Sequence, residues 1–176
     1  MSGARRPLWR ACRVVAAVVA LCAAAASETS ARAATTDQAR EVYALVVHPS
    51  TRVSNLSLAD ARRIFLGDQQ FWPDGGRVVL FVHGPGTPGR SVALQHLYRM
   101  REPEFKRYWI AKTFRGDVAT GPKIVSSDEL AKRLTASIPG AVALVRASEV
   151  DASVKVITVD GRAPDAPQYP LATATR

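Results

Sequence analysis

The sequence predicts an α/β domain with a mostly parallel sheet flanked by helices, and three observations carry that expectation. Short apolar runs alternate along the chain with segments of helical periodicity. Most of those runs are continuously apolar rather than alternating, the pattern of strands covered on both faces. Turn residues (Gly, Pro, Ser, Asn and Asp) cluster where the pattern switches.

The first 33 residues are read as a leader. "MSGARRPLWRACR" is a basic stretch, "VVAAVVALCAAAA" is a short apolar one, and "ARA" at 31–33 is a small-x-small cleavage site. That order is the pattern of a secretory signal peptide, and the apolar run is shorter than the roughly 20 residues a membrane span needs. Export to the periplasm or beyond is therefore expected, with no transmembrane span after cleavage. The pair Arg5-Arg6 is a loose twin-arginine match. Leu21 before Cys22 argues against a lipoprotein anchor, which needs a small residue there.

After a polar lead-in, "VYALVVH" (42–48) reads as a buried strand closed by the turn-like "PSTRVSN". "LSLADARRIFLG" is a helix: Ser57 is the N-cap with Asp60 three residues on, Leu58, Ala61, Ile64 and Phe65 share a face, and Gly67 is the left-handed stop. "QQFWPDGGR" is a turn with Pro73-Asp74-Gly75 at its tip, and "VVLFV" (78–82) is the next strand. A small-residue segment, "HGPGTPGRS" (83–91), leads into a helix carrying Val92, Leu94, Leu97 and Tyr98. "REPEFKRYWIAKTF" is helical, with acids first, Lys112 late, and Phe105, Tyr108 and Trp109 as its buried stripe. "KIV" is a short strand, "SSDELAKRL" a serine-capped helix, and "AVALV" (141–145) and "KVITV" (155–159) are strands. The domain is expected over 34–160, with the proline-rich 161–176 as an irregular or disordered tail.

Composition excludes several function classes. Both cysteines, Cys12 and Cys22, fall in the leader, so the remainder has no disulfide, thiol nucleophile or cysteine metal site. The leader holds five arginines and one glutamate, +4 of the formal +9, which leaves +5 on 34–176. A moderately basic domain favours anions, but no basic block with interleaved aromatics points to nucleic acid. His48, His83 and His96 lack metal-ligand spacing. There is no Gly-x-Ser-x-Gly elbow, no His-Glu-x-x-His and no framed carboxylate pair, so neither catalysis nor a cofactor is expected.

The segment 83–91 is the candidate site. Ligands of α/β folds gather at the carboxyl ends of strands, where open amides at a helix start attract anions and glycine lets backbone approach closely. Gly84, Gly86, Thr87, Gly89, Arg90 and Ser91 are the expected anion contacts, with Ser126 and Ser127 as secondary ones. A cation in the first turn of a helix is unfavourable, so Arg90 calls for a partner: a bound anion or a nearby carboxylate. Without a ligand, the segment is a rigid strand-to-helix connection, the two serines are N-caps, and Phe71 and Trp72 pack at their turn or form a contact surface.

Taken in order, residues 42–146 resemble the phosphate-binding proteins of ABC transporters, and more closely their short, signal-bearing relatives. The resemblance rests on the His48-Pro49 strand end, Ile64-Phe65-Leu66-Gly67, Trp72-Pro73-Asp74-Gly75, the small-residue loop, "VSSDEL" and "IPGAVALV". It implies a single lobe of the type II periplasmic-binding-protein architecture. It also implies phosphate or a similar oxyanion as ligand, bound by the loop from Gly84 to Ser91 with Thr87 as hydroxyl donor and Arg90 as charge partner. A transporter or another envelope protein would be the macromolecular partner. His83-Gly84-Pro85 and Ala143-Leu144 depart from the family's pattern. The alternative expectation is an envelope interaction module that has lost its ligand.

Overall fold

The computed structural model describes residues 41–173; the expected leader lies outside them. Six strands form one sheet: β1 (Tyr43–Val47), β2 (Asn55–Leu56), β3 (Val79–His83), β4 (Lys123–Val125), β5 (Ala141–Arg146) and β6 (Lys155–Val159), in the order β2-β6-β1-β5-β3-β4. The helices are α1 (Leu58–Phe65), α2 (Pro88–Val92), which continues directly as a π-helical stretch over Ala93–Tyr98, α3 (Glu102–Phe114) and α4 (Asp128–Ser137).

The expected α/β class is found, with a mixed sheet. β3 runs parallel to β4 and β5, and β2 to β6, whereas β1 is antiparallel to both its neighbours, β5 and β6. A strand buried on both faces is continuously apolar in either direction, so the apolar run could not reveal the reversal. The register sets Tyr43 opposite Arg146, which puts the start of β1 at the edge where β3 and β5 end.

Side chains of β1 and β5 divide between two cores by the period of two. Tyr43, Leu45, Val47, Val142 and Leu144 face the layer of α1, the helix of 88–98 and α3, including Ile64, Phe65, Leu97 and Phe105. Ala44, Val46, Ala141, Ala143 and Val145 face the other way, toward Ala131 and its neighbours on α4. Small residues on this second face let the single helix lie close to the sheet.

Local signals hold the helices in place. Ser57 caps α1, its Oγ accepting from the Asp60 amide at 3.0 Å, and Gly67 ends the helix with φ of +71°. The Arg101 amide donates to Glu104 at 2.8 Å to start α3. Of the predicted stripe on α3, Phe105 and Trp109 are buried, while Tyr108 is half-buried and donates its hydroxyl to the Leu66 carbonyl at 2.8 Å. Lys112, expected to sit at the helix end only for its dipole, is buried and ties α3 to the end of α1 through the Leu66 carbonyl (2.9 Å) and Asp68.

Two expectations offer alternatives between which the packing chooses. The proline-rich tail is irregular but packed: Tyr169 and Leu171 lie in the first core, and the Leu171 carbonyl accepts from the Tyr43 amide at 2.9 Å. The aromatic pair at the turn divides, with Trp72 buried and donating its indole N–H to the Gly140 carbonyl at 2.9 Å, and Phe71 exposed. Only Phe71 is available to a contact surface.

Candidate functional site

β3 and β4 end side by side, with His83 opposite Val125, and the Gly84 amide extends the pairing by donating to the Val125 carbonyl at 2.9 Å. The glycine loop and the Ser126-Ser127 pair therefore leave the sheet together, at the carboxyl edge where ligands of α/β folds bind. The sequence places its primary and secondary candidates in two separate segments, and the sheet register joins them.

Within the loop, several candidate groups already have partners. Thr87 is the N-cap of α2: its hydroxyl donates to the Gly84 carbonyl at 2.8 Å and accepts from the Arg90 amide at 3.3 Å. The Ser91 amide bonds the Thr87 carbonyl at 3.1 Å, and its exposed hydroxyl makes only a long bond, 3.4 Å, to the same oxygen. Ser127 caps α4 by accepting from the Leu130 amide at 3.2 Å. Among the described residues the amides of Gly86 and Gly89 and the exposed hydroxyl of Ser126 make no hydrogen bond. Gly86 has φ of +83°, a conformation in which an L side chain is strained.

Arg90 has the partner its position calls for, and that partner is a carboxylate. Only 3 % exposed, it donates from Nε and Nη2 to the two oxygens of Glu102, both at 3.0 Å, and lies over the Phe105 ring at 3.7 Å from its centre. Of the two expected partners, a bound anion or a nearby carboxylate, the fold supplies the second, and a forked pair and a stack hold the guanidinium inside the layer of helices. Its Nη1 is buried without a hydrogen-bond partner. Glu102 opens α3, twelve residues on, and no local spacing marks it as the partner. The hydrogen bonds from Arg90 hold its carboxyl below the ordinary range.

A second polar group lies beneath the loop. His83, 3 % exposed, places Nε2 at 3.1 Å from Asp128, and the same carboxylate oxygen accepts from the Arg146 amide at 3.1 Å. Burial pushes the Asp128 carboxyl upward, but the adjacent His83 imidazole and the hydrogen bond from the Arg146 amide outweigh it, and the net direction is down. The other side of the imidazole fills the space beside Gly89, where an added Cβ would sit 2.8 Å from Nδ1. His83 thus sets the height of the loop above the sheet, a role its isolated place in the sequence did not signal. Among the described residues no group of His, Cys, Asp and Glu is placed to hold a metal ion.

Comparison with solved structures places this geometry in a known fold. An ABC-type phosphate transport receptor from Vibrio cholerae superposes with a TM-score of 0.62 at 20 % identity, over 76 % of this chain and 54 % of the receptor. A phosphate ABC transporter substrate-binding protein from Clostridium perfringens, solved with bound phosphate, gives 0.59 at 20 % identity, over 72 % and 48 %. PstS from Borrelia burgdorferi gives 0.60 at 13 % identity, over 76 % and 55 %. The chain has the fold of part of a phosphate receptor. It spans about half the length of these structures. No protein-family model matches the sequence, and no curated protein matches it.

Proposed function

We propose that this chain is an exported, non-enzymatic binding protein that holds phosphate or a similar oxyanion on its glycine loop and serves an ABC transporter. One observation supports the reading: the exposed Gly86, the buried Gly89 and the exposed Ser126, whose amides and hydroxyl have no hydrogen bond among the described residues, lie in the two segments that follow the carboxyl ends of the paired strands β3 and β4. Open amides held by glycine are the groups an oxyanion needs, and the fold is one that phosphate receptors use. Ser91 adds a weakly engaged hydroxyl. Thr87 and Arg90 enter as the residues that hold the loop's shape. A loop open on one side gives weaker charge-assisted bonds than an enclosed cleft, so the affinity belongs in the millimolar range unless a second element covers the ligand.

Thermal unfolding under phosphate, sulfate and chloride at matched ionic strength tests this. At ~100 times the dissociation constant a ligand stabilises the folded state by about 2.7 kcal/mol. The expected result is a phosphate-dependent rise in Tm that the double variant Ser91→Ala/Ser126→Ala diminishes. No rise at any accessible concentration contradicts the reading.

A second reading, an envelope interaction module, has one observation in its favour. Ile110 and Phe114, four residues apart on α3 and so on one face, are 57 % and 88 % exposed. A stable protein complex that is lost on Phe114→Ser, in a chain indifferent to anions, would favour it.

A further inference from the structure

Three of the sequence segments that the glycine loop leaves unexplained converge at the opposite end of the sheet. The turn after His48-Pro49, the Trp72–Gly76 turn and Pro139-Gly140 line a cavity of about 460 Å³ together with Arg52 and Arg77. Its walls are fixed. The Trp72 indole is bonded to the Gly140 carbonyl at 2.9 Å, and Gly140 lies so near the Arg77 carbonyl that an added Cβ would stand 2.1 Å from it. Across the cavity the Thr51 amide donates to the His48 carbonyl at 2.9 Å, and the Thr51 carbonyl accepts from the Lys155 ammonium at 2.9 Å. These contacts account for Trp72 and Gly140 as packing residues.

They do not account for the polar groups. Arg52 and Arg77 both line the cavity, and among the described residues neither has an ion pair. Lys155, bonded to the Thr51 carbonyl beside them, has none either. Asp74 is the one carboxylate of the lining, and it accepts from the Gly76 amide at 3.1 Å. Thr51 is 4 % exposed, yet its hydroxyl has no hydrogen-bond partner. Two guanidinium groups against one carboxylate, itself engaged by a backbone amide, leave the lining short of acceptors.

We infer that this cavity is a second oxyanion-binding site, distinct from the glycine loop, in which Arg52 and Arg77 hold the phosphate or carboxylate group of a small anion. Guanidinium forks suit both groups, and anchors on pinned backbone lose little entropy on binding. The volume is in the range of small-molecule pockets, larger than a bare inorganic ion requires.

Amide chemical shifts of the whole chain, titrated separately with inorganic phosphate and with citrate at matched ionic strength, test the inference. The expected result is saturable movement of the Thr51, Gly76 and Gly140 amides with at least one probe. The phosphate and citrate arms then identify which group is preferred. The double variant Arg52→Ala/Arg77→Ala should weaken that movement at least about tenfold while leaving the Gly86 and Gly89 amides at their wild-type positions. Both arginines are exposed, so the variant keeps its fold, and its unchanged spectrum elsewhere verifies this. Amides around the cavity that stay still with both probes overturn the inference, and so does movement that persists in the double variant. Failure of the glycine loop to bind would appear at Gly86 and Gly89 alone.

Discussion

Removing the Arg90 side chain should destabilise the whole domain. The guanidinium is buried, makes two 3.0 Å bonds to Glu102 and stacks on Phe105. Breaking a fully buried pair by deleting one partner costs roughly 3–5 kcal/mol. Glu102 keeps 29 % of its side-chain exposure, so water recovers part of that for the abandoned carboxylate. Loss of a desolvated cation–π contact adds about 1–2 kcal/mol. We therefore expect Arg90→Ala to cost about 3 kcal/mol, near 10 °C in Tm for a domain of this size. Arg90→Lys keeps the charge but not the fork, and should lose roughly half as much. The assay is urea unfolding of both variants, of Glu102→Gln and of Arg90→Ala/Glu102→Gln. The midpoint should fall at constant slope, and the cycle should give a coupling of about 1–2 kcal/mol. The pair also carries a pH signature. Because Glu102 titrates lower in the native state than when unfolded, its contribution is present above the unfolded value near 4.3. That contribution disappears as pH falls through the lowered native value, and Glu102→Gln should remove this part of the acid dependence. An Arg90→Ala protein within about 0.5 kcal/mol of wild type, or a cycle without coupling, would refute the assignment of Arg90 to structure.

Other substitutions probe the two ends of the sheet. Gly140→Ala sets a Cβ against the Arg77 backbone at a φ of +79°, and should cost more than about 3 kcal/mol or prevent folding, as read by circular dichroism and urea midpoint. Gly89→Ala meets only the His83 ring, so a smaller loss, about 1–3 kcal/mol, is expected together with weakened phosphate binding by the displaced loop. Asp128, held low in the native state by His83 and the Arg146 amide against the upward push of burial, stabilises the fold above the unfolded aspartate value near 3.9, and this contribution is lost as pH falls from there through the lowered native value. The stability gap between wild type and Asp128→Asn should accordingly narrow from pH 6 toward pH 2 in acid-dependent denaturation curves.

Most of the element pattern was legible because each signal is local. The Ser57 cap, the Gly67 stop and the apolar runs of β1, β3, β5 and β6 act within a few residues. What the sequence concealed depends on partners far along the chain. The direction of β1 is not written in a run buried on both faces. Asn55-Leu56 is too short to announce a strand, and it forms one by pairing with β6 about a hundred residues later. The prolines of the tail predict an irregular segment, and do not announce that Tyr169 and Leu171 fill the core beside β1. At the candidate site the glycines and Thr87 were legible as loop-forming residues. Arg90 was legible only as a cation in need of a partner, since Glu102 is brought to it by the packing of α3. His83 gave no signal by spacing, because its partner Asp128 arrives through the register of β3 with β4.

In the proposed function the amides of Gly86 and Gly89 hold an oxyanion. The most direct measurement follows those two resonances in a nitrogen-edited spectrum of the protein as phosphate is added, with chloride at equal ionic strength as the control. The expected result is saturable downfield movement of both amide protons with phosphate, reduced in Ser91→Ala/Ser126→Ala. Resonances that stay in place, or move equally with chloride, would contradict it.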